Sequence, residues 1–217
     1  MKNRKKWLIT LCALLLVAIS IAGTMAYLTH KTEKVENTFT VGKLIDKEDA
    51  FVLKEHKATA DNAGVYELDL SVETNGNSYT VLPGVNIPKD PFVRTDPEYA
   101  LLLDAYVFVE VVESEETGSA ISYEIDTDTW KLLDGAKGPN NGSIYYYGST
   151  GIAKAGAPLG PVYILKKIST DQKEIKVSNV EIDEKENQFG GQLDFYGYMI
   201  QAAGFITPAE AWEGLGY

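Results

Sequence analysis

The chain has 217 residues, with 20 lysines and arginines against 31 aspartates and glutamates, a net charge of −11 with neutral histidines. That surplus of negative charge argues against nucleic acid or an anionic lipid surface as a partner, because both would be repelled. A single cysteine, Cys12, excludes disulfides within the chain, so stability has to come from packing and β-pairing.

The first segment is an export signal by pattern. Residues 1–26 carry Lys2, Arg4, Lys5 and Lys6 and no acid, and Trp7 to Ala22 is nearly all apolar. Small residues follow at Thr24 and Ala26, where a signal peptidase admits only small side chains, so cleavage is expected before Tyr27. The competing reading is a retained membrane anchor, but a helix needs roughly 20 apolar residues to cross a bilayer and this run is shorter. Cleavage leaves residues 27–217, long enough for one domain with a sizeable core. All four basic residues of the signal are then gone, and the mature chain holds 16 basic against 31 acidic residues, a net of −15, and no cysteine. The expected location is secreted, extracellular or at the cell surface, with membrane contact only through the uncleaved signal.

Beyond the signal the pattern is that of strands. Phe39, Val41 and Ile45 alternate with polar neighbours, so 38–45 reads as a strand, and Ala50–Leu53 as a short second one. Glu55 to Gly64 is polar and reads as a loop. From Val65 to Val72, Tyr66, Leu68, Leu70 and Val72 alternate with polar residues as in a half-buried strand. Asn75-Gly76 is a hairpin-turn signal, which makes Ser78 to Leu82 the returning partner. Pro83, Pro88 and Pro91 then forbid a central strand and favour a rigid, extended edge. Leu101 to Val112 is the strongest strand: Leu103, Ala105, Val107, Val109 and Val111 form one face, expected in the core, and Asp104, Tyr106, Phe108 and Glu110 an amphipathic other face. Ser119–Ile125, Thr129–Leu133, Ser143–Gly148, Pro161–Lys166, Lys173–Ile182 and Gly191–Phe205 continue the β-pattern, with Asn140–Gly142 as a turn. In the Tyr145-Tyr146-Tyr147 run, alternation sets Tyr146 opposite the other two. Near the end, Thr207 caps a short helix with Pro208 at its first position and Glu210 completing a capping box, and Trp212 and Leu215 are placed to pack back on the sheets.

Three stretches also resemble one family. Gly23, Thr24, Ala26, Tyr27, Leu28, Thr29, Asn37, Thr38, Phe39 and Gly42 stand in order around the cleavage site. Pro83, Gly84, Ile87, Pro88, Lys89, Asp90 and Pro91 form a second motif. Tyr198, Ile200, Gln201, Ala202, Gly204 and Phe205 form a third, just ahead of the tryptophan-bearing helix. Together these resemble the TasA and camelysin family of exported Gram-positive proteins. The resemblance implies removal of the signal by a SipW-type signal peptidase, a β-sandwich or jelly-roll fold, and a role as a biofilm-matrix or surface-fibre subunit that associates with itself or with other matrix proteins. It also implies assembly by strand donation from the new N-terminus, in which Val35, Phe39 and Val41 alternate. The expected organisation is a signal peptide at 1–26 forming a helix, a mature N-terminal segment at 27–37 as candidate donor strand, and one all-β sandwich or jelly-roll domain at 38–217 with a short C-terminal helix.

The resemblance leaves an alternative open, because camelysin is classed among metalloproteases. The residues supply no recognisable site for it. The two histidines, His30 and His56, do not form a His-Glu-x-x-His helix. No Gly-x-Ser-x-Gly elbow and no phosphate-cradling glycine loop occurs. Asp126 with Asp128, and Glu181, Asp183, Glu184 and Glu186, lack calcium-loop spacing and read as solvated loops. The chain is therefore expected to be a non-enzyme without cofactor or metal, with a secreted metalloprotease and a monomeric surface-binding module as the other readings. N-terminal sequencing of secreted material is expected to begin at Tyr27, and Ala26→Arg to leave the uncleaved chain on the membrane; secreted material beginning at Met1 would contradict this reading.

Overall fold

A computed structural model describes residues 43–80, 86–114, 121–166, 174–177 and 192–217, of which 174–177 as backbone. Among the described residues the protein is built of β-strands, all paired antiparallel, with one short helix near the C-terminus. The strands are β1 (Phe51–Ala60), β2 (Tyr66–Thr74), β3 (Asn86–Pro88), β4 (Phe92–Thr95), β5 (Ala105–Glu113), β6 (Ile121–Ser122), β7 (Trp130–Lys137), β8 (Ser143–Tyr147), β9 (Ile152–Ala153), β10 (Val162–Tyr163), β11 (Glu174–Val177) and β12 (Leu193–Gln201). A single described helix, α1 (Pro208–Gly214), follows. One sheet has the order β10-β4-β1-β2, a second β3-β11-β6, and a third β12-β5-β8-β7 with β9 also on β5. The proline-bearing β3 ends its sheet, where the missing N–H of Pro88 does least harm.

β5 is the central strand. It pairs with β12 over nine residue pairs, from Ala105↔Gln201 to Glu113↔Leu193. Val107 and Val109 are fully buried, as their alternation requires. They join Val93 of β4, Trp130 of β7, and Ala50, Leu101 and Ile164 in one core, against which Phe51 and Leu53 of β1 and Phe195 and Met199 of β12 pack. Strands of the first and third sheets thus feed the same core. Gly197 on β12 permits the close approach: a Cβ there would lie 3.1 Å from Val93 and 3.2 Å from Phe51. Trp130 closes the core with its indole N–H donated to the Tyr163 carbonyl at 2.7 Å.

The opposite face of β5 differs from the amphipathic one expected. Tyr106, Phe108 and Glu110 are as buried as the valines. The cover is α1, whose Trp212 packs edge-on against Phe108 at 5.3 Å and against Tyr198 at 5.2 Å, with Ala211 and Ile144 in the same cluster. Tyr146 lies on this side and Tyr145 and Tyr147 on the other, as their alternation predicts. The helix starts where its cap residues place it. Thr207 accepts from the Glu210 N–H at 3.2 Å with Pro208 in the first turn, although the Glu210 carboxylate reaches one residue further back than a capping box, to the Ile206 N–H at 2.8 Å.

Several boundaries differ from the sequence reading. Of the strand expected at 38–45, residues 38–42 lie outside the described residues. Lys43 to Asp49 runs as bends and a turn, with Asp49 in the left-handed region at φ 59°, although Ile45 is buried. The loop expected at Glu55–Gly64 is strand as far as Ala60, and its polar residues have partners described below. The hairpin partner of β2 is β1, not Ser78–Leu82. The turn is built by Asp61, whose side chain accepts from the Ala63 and Val65 N–H groups, and by Gly64 at φ 80°. Ser78–Thr80 is not strand, and residues 81–82 lie outside the described residues. The strongest strand begins at Ala105 rather than Leu101, which leaves Leu103 36 % exposed.

Glu110 shows how a carboxylate can sit in such a core. One oxygen accepts from the Asn140 and Gly142 main-chain N–H groups at 3.0 and 2.8 Å, the other from the Asn140 amide at 3.0 Å and the Tyr198 hydroxyl at 2.7 Å. Four donors replace its water. Burial first, and then this hydrogen bond, holds the Tyr198 hydroxyl above the ordinary tyrosine value. The staple fixes the β7–β8 turn on the central strand, and Gly138 leaves the room, since a Cβ there would fall 2.1 Å from the carboxyl carbon. Glu110→Ala is expected to cost about 2–5 kcal/mol, because it strands buried donors. Gly138→Ala should destabilise through the same contact. Urea unfolding midpoints unchanged in both would contradict the staple.

Candidate functional site

The proline motif meets β1 at a point where β1 changes partners. Phe51–Lys54 pairs with Thr95–Phe92 of β4, whereas Glu55–Ala60 pairs with β2. The β4 side ends at Phe92, and the preceding Pro91 has no N–H to offer. Side chains take over there. The Asp90 carboxylate accepts the His56 main-chain N–H at 3.0 Å with one oxygen and contacts His56 Nδ1 at 2.6 Å with the other. Beside it, Lys89 Nζ donates to Glu55 Oε2 at 2.6 Å. All four residues are buried, at 3 % exposure for Glu55, 9 % for His56, 8 % for Lys89 and 5 % for Asp90.

The pairs are held within aromatic walls. His56 leans on Phe92 with ring centres 5.4 Å apart, and Phe92 meets Tyr163 edge-on. Lys89 Nζ lies 5.8 Å from both the Tyr79 and the Phe195 ring centres. Burial, reinforced by the Glu55 and Asp90 charges, pushes the Tyr79 hydroxyl well above the ordinary tyrosine value; it stays neutral and donates to the Pro88 carbonyl at 3.2 Å. Asn77 closes the cluster. Its amide N donates to Glu55 Oε1 at 2.9 Å and to the His56 carbonyl at 2.8 Å, and its amide oxygen accepts the Ala58 N–H at 2.8 Å. The Asn77 carboxamide thus serves the β1 backbone as a bridging strand residue would. No buried side-chain nitrogen or oxygen among the described residues lacks a partner.

Pro88, Lys89, Asp90 and Pro91 are therefore brought together with β1, where Lys89 and Asp90 do more than lend the prolines an extended course. Pro83 and Gly84 lie outside the described residues, as do the cleavage-site residues Thr24, Ala26 and Tyr27, the assembly residues Val35, Phe39 and Val41, His30, and the acidic run from Glu181 to Glu186. Asp126 organises a turn: it accepts the Asp128 N–H at 3.2 Å and the Thr129 hydroxyl at 2.8 Å. Glu55 and Asn77 were not singled out from the sequence, and His56 was weighed only as a metal ligand. The available signal was a charged doublet continuing straight out of the apolar Ala50–Leu53 run.

Two surfaces complete the description. An open groove of about 420 Å³ is lined by Leu44, Ile45, Phe51 and Met199 together with Lys43, Lys47, Glu48 and Asp49. The other is the outer side of β2, which ends its sheet among the described residues. His56 faces Glu73 and Lys57 faces Asp69, so Leu70, Ser71 and Val72 have no counterpart on β1 and bulge outward. Leu70 is consequently 70 % and Val72 41 % exposed, where the alternation predicted half-burial.

No family model, no curated protein and no solved structure matches the chain. Asp90→Ala is expected to lower unfolding free energy by about 2–4 kcal/mol, by leaving a buried His56 N–H without an acceptor. Asp90→Asn, which keeps an acceptor oxygen, should recover part of that loss. Equal stability of all three proteins in urea would show the contact to be idle.

Proposed function

We propose that the protein is an exported extracellular structural protein, a subunit or accessory of a surface or matrix fibre, and that the mature N-terminal segment completes a sheet edge of a neighbouring copy. The two larger sheets are read here as the halves of a jelly-roll sandwich that presents such an edge. Support comes from the resemblance of the junction, proline motif and C-terminus to the TasA and camelysin family, and from the acidic composition of residues 27–217, which hold no cysteine. The observation that carries the reading is the outer side of β2, with Leu70 and Val72 exposed beside an edge that no described strand covers. Exposed apolar edges are what soluble proteins ordinarily protect. An incoming strand would gain affinity from main-chain hydrogen bonds and register from alternate side chains, which Val35, Phe39 and Val41 provide. Cleavage before Tyr27 would free that segment, making the peptidase the trigger.

Residues 27–217 are expected to form polymers with rising concentration in light scattering and electron microscopy, whereas a chain starting at Thr38 is expected to remain monomeric. Leu70→Lys with Val72→Lys in residues 27–217 should weaken assembly without altering the fold. Equal polymerisation of the long and short chains, or none by either, would overturn strand donation and leave a monomeric surface-binding module.

A further inference from the structure

We propose that Lys89 and Asn77 become joined by an intramolecular amide bond, formed by the protein itself with Glu55 as the proton carrier. Glu55 touches both partners at once: Oε2 lies 2.6 Å from the Lys89 amine and Oε1 2.9 Å from the Asn77 amide nitrogen. The Ala58 N–H already points at the Asn77 amide oxygen from 2.8 Å, where negative charge would develop if the carbonyl carbon were attacked. Lys89 and Glu55 are buried, and the Tyr79 and Phe195 rings flank the amine. A nucleophile, an electrophile, a proton carrier and an oxyanion donor thus converge on one amide. An ion pair alone requires neither Asn77 nor the Ala58 contact. Holding the groups together converts a slow bimolecular aminolysis into an intramolecular one.

The step balances without any external reagent. Glu55 takes a proton from the Lys89 ammonium, and the freed Nζ lone pair attacks Asn77 Cγ. A C–N bond forms, and the carbonyl electrons move onto Oδ1 beside the Ala58 N–H. Glu55 delivers its proton to Nδ2, the Cγ–Nδ2 bond breaks, and ammonia leaves. Of the two protons left on Nζ, one stays as the amide N–H and the other passes through Glu55 to the departing ammonia. Overall, an ammonium and a carboxamide give a secondary amide and an ammonium ion; nothing is oxidised or reduced. The bond would tie the segment after β2 to the residue before Asp90 across β1, and it is independent of whether the chain polymerises.

Peptide mass spectrometry of the full chain tests this. Trypsin has sites after Lys57, Lys89 and Arg94 in this stretch. The expected product is peptide 58–94, uncut at Lys89 and about 17 Da lighter than its sequence mass, the loss of one ammonia. Further cleavage after Tyr79 should leave its two halves joined. Lys89→Arg and Glu55→Gln should each restore the sequence mass, read on denatured peptides so that a folding defect does not obscure the result. Peptide 58–89 released at its sequence mass from the unaltered protein would overturn the proposal. So would an ammonia loss that survives Lys89→Arg, which would mark succinimide formation at Asn75-Gly76 instead. A peptide carrying residues 55–57 with loss of water would place the bond on Glu55 and refute the Asn77 assignment.

Discussion

The structure depends on a buried set of charges at the point where one strand changes partners. β1 belongs to β4 through its first half and to β2 through its second. Such a switch leaves main-chain groups without a ladder, and a buried unpaired N–H or C=O costs as much as a lost hydrogen bond. Asp90 and Asn77 supply the missing partners, and beside them Glu55 and Lys89 neutralise each other. The prolines on either side hold Lys89 and Asp90 in an extended course, so that both heads reach β1. Replacing a buried pair wholesale with apolar residues is often tolerated, whereas removing one member is not. The cluster is therefore best understood as specifying which strands meet, rather than as a source of net stability.

Glu110 repeats this logic on the other side of the molecule. There a fully buried carboxylate holds a turn against the central strand through four donors. Both devices let a chain without disulfides fix connections between strands that are distant in sequence. They also separate a fixed interior from a surface in which β2 bulges and exposes Leu70 and Val72. The strand addition we propose would use this exposed edge of β2.

Where side chains alternated cleanly, the sequence was readable. Val107 and Val109, the tyrosine run of β8 and the Thr207-capped helix all follow from period and capping chemistry, because each is decided within a few residues. The failures share one cause. Glu55 and His56 look like loop because their partners lie 34 residues away in the proline motif. Tyr106, Phe108 and Glu110 look like a half-wet face because the helix that covers them comes about a hundred residues later in the chain. Asn75-Gly76 has the chemistry of a hairpin turn, but the residue after it, Asn77, is drawn to the β1 backbone instead. Leu70 and Val72 alternate correctly, yet a bulge removes them from the ladder. In each case tertiary pairing overrode a sound local signal.

Amide hydrogen exchange at His56 and Ala58 tests the central claim most directly. Neither N–H is held by a neighbouring strand's backbone in the contacts that fix the switch; each is bonded to a side chain, of Asp90 and Asn77. If the buried cluster anchors the strand, both amides should exchange as slowly as those of Val107 and Val109 in β5, in the last cooperative unit to open. Exchange at the rate of the exposed Asn75–Gly76 segment would show that the cluster opens freely and that β1 is held by its ladders alone.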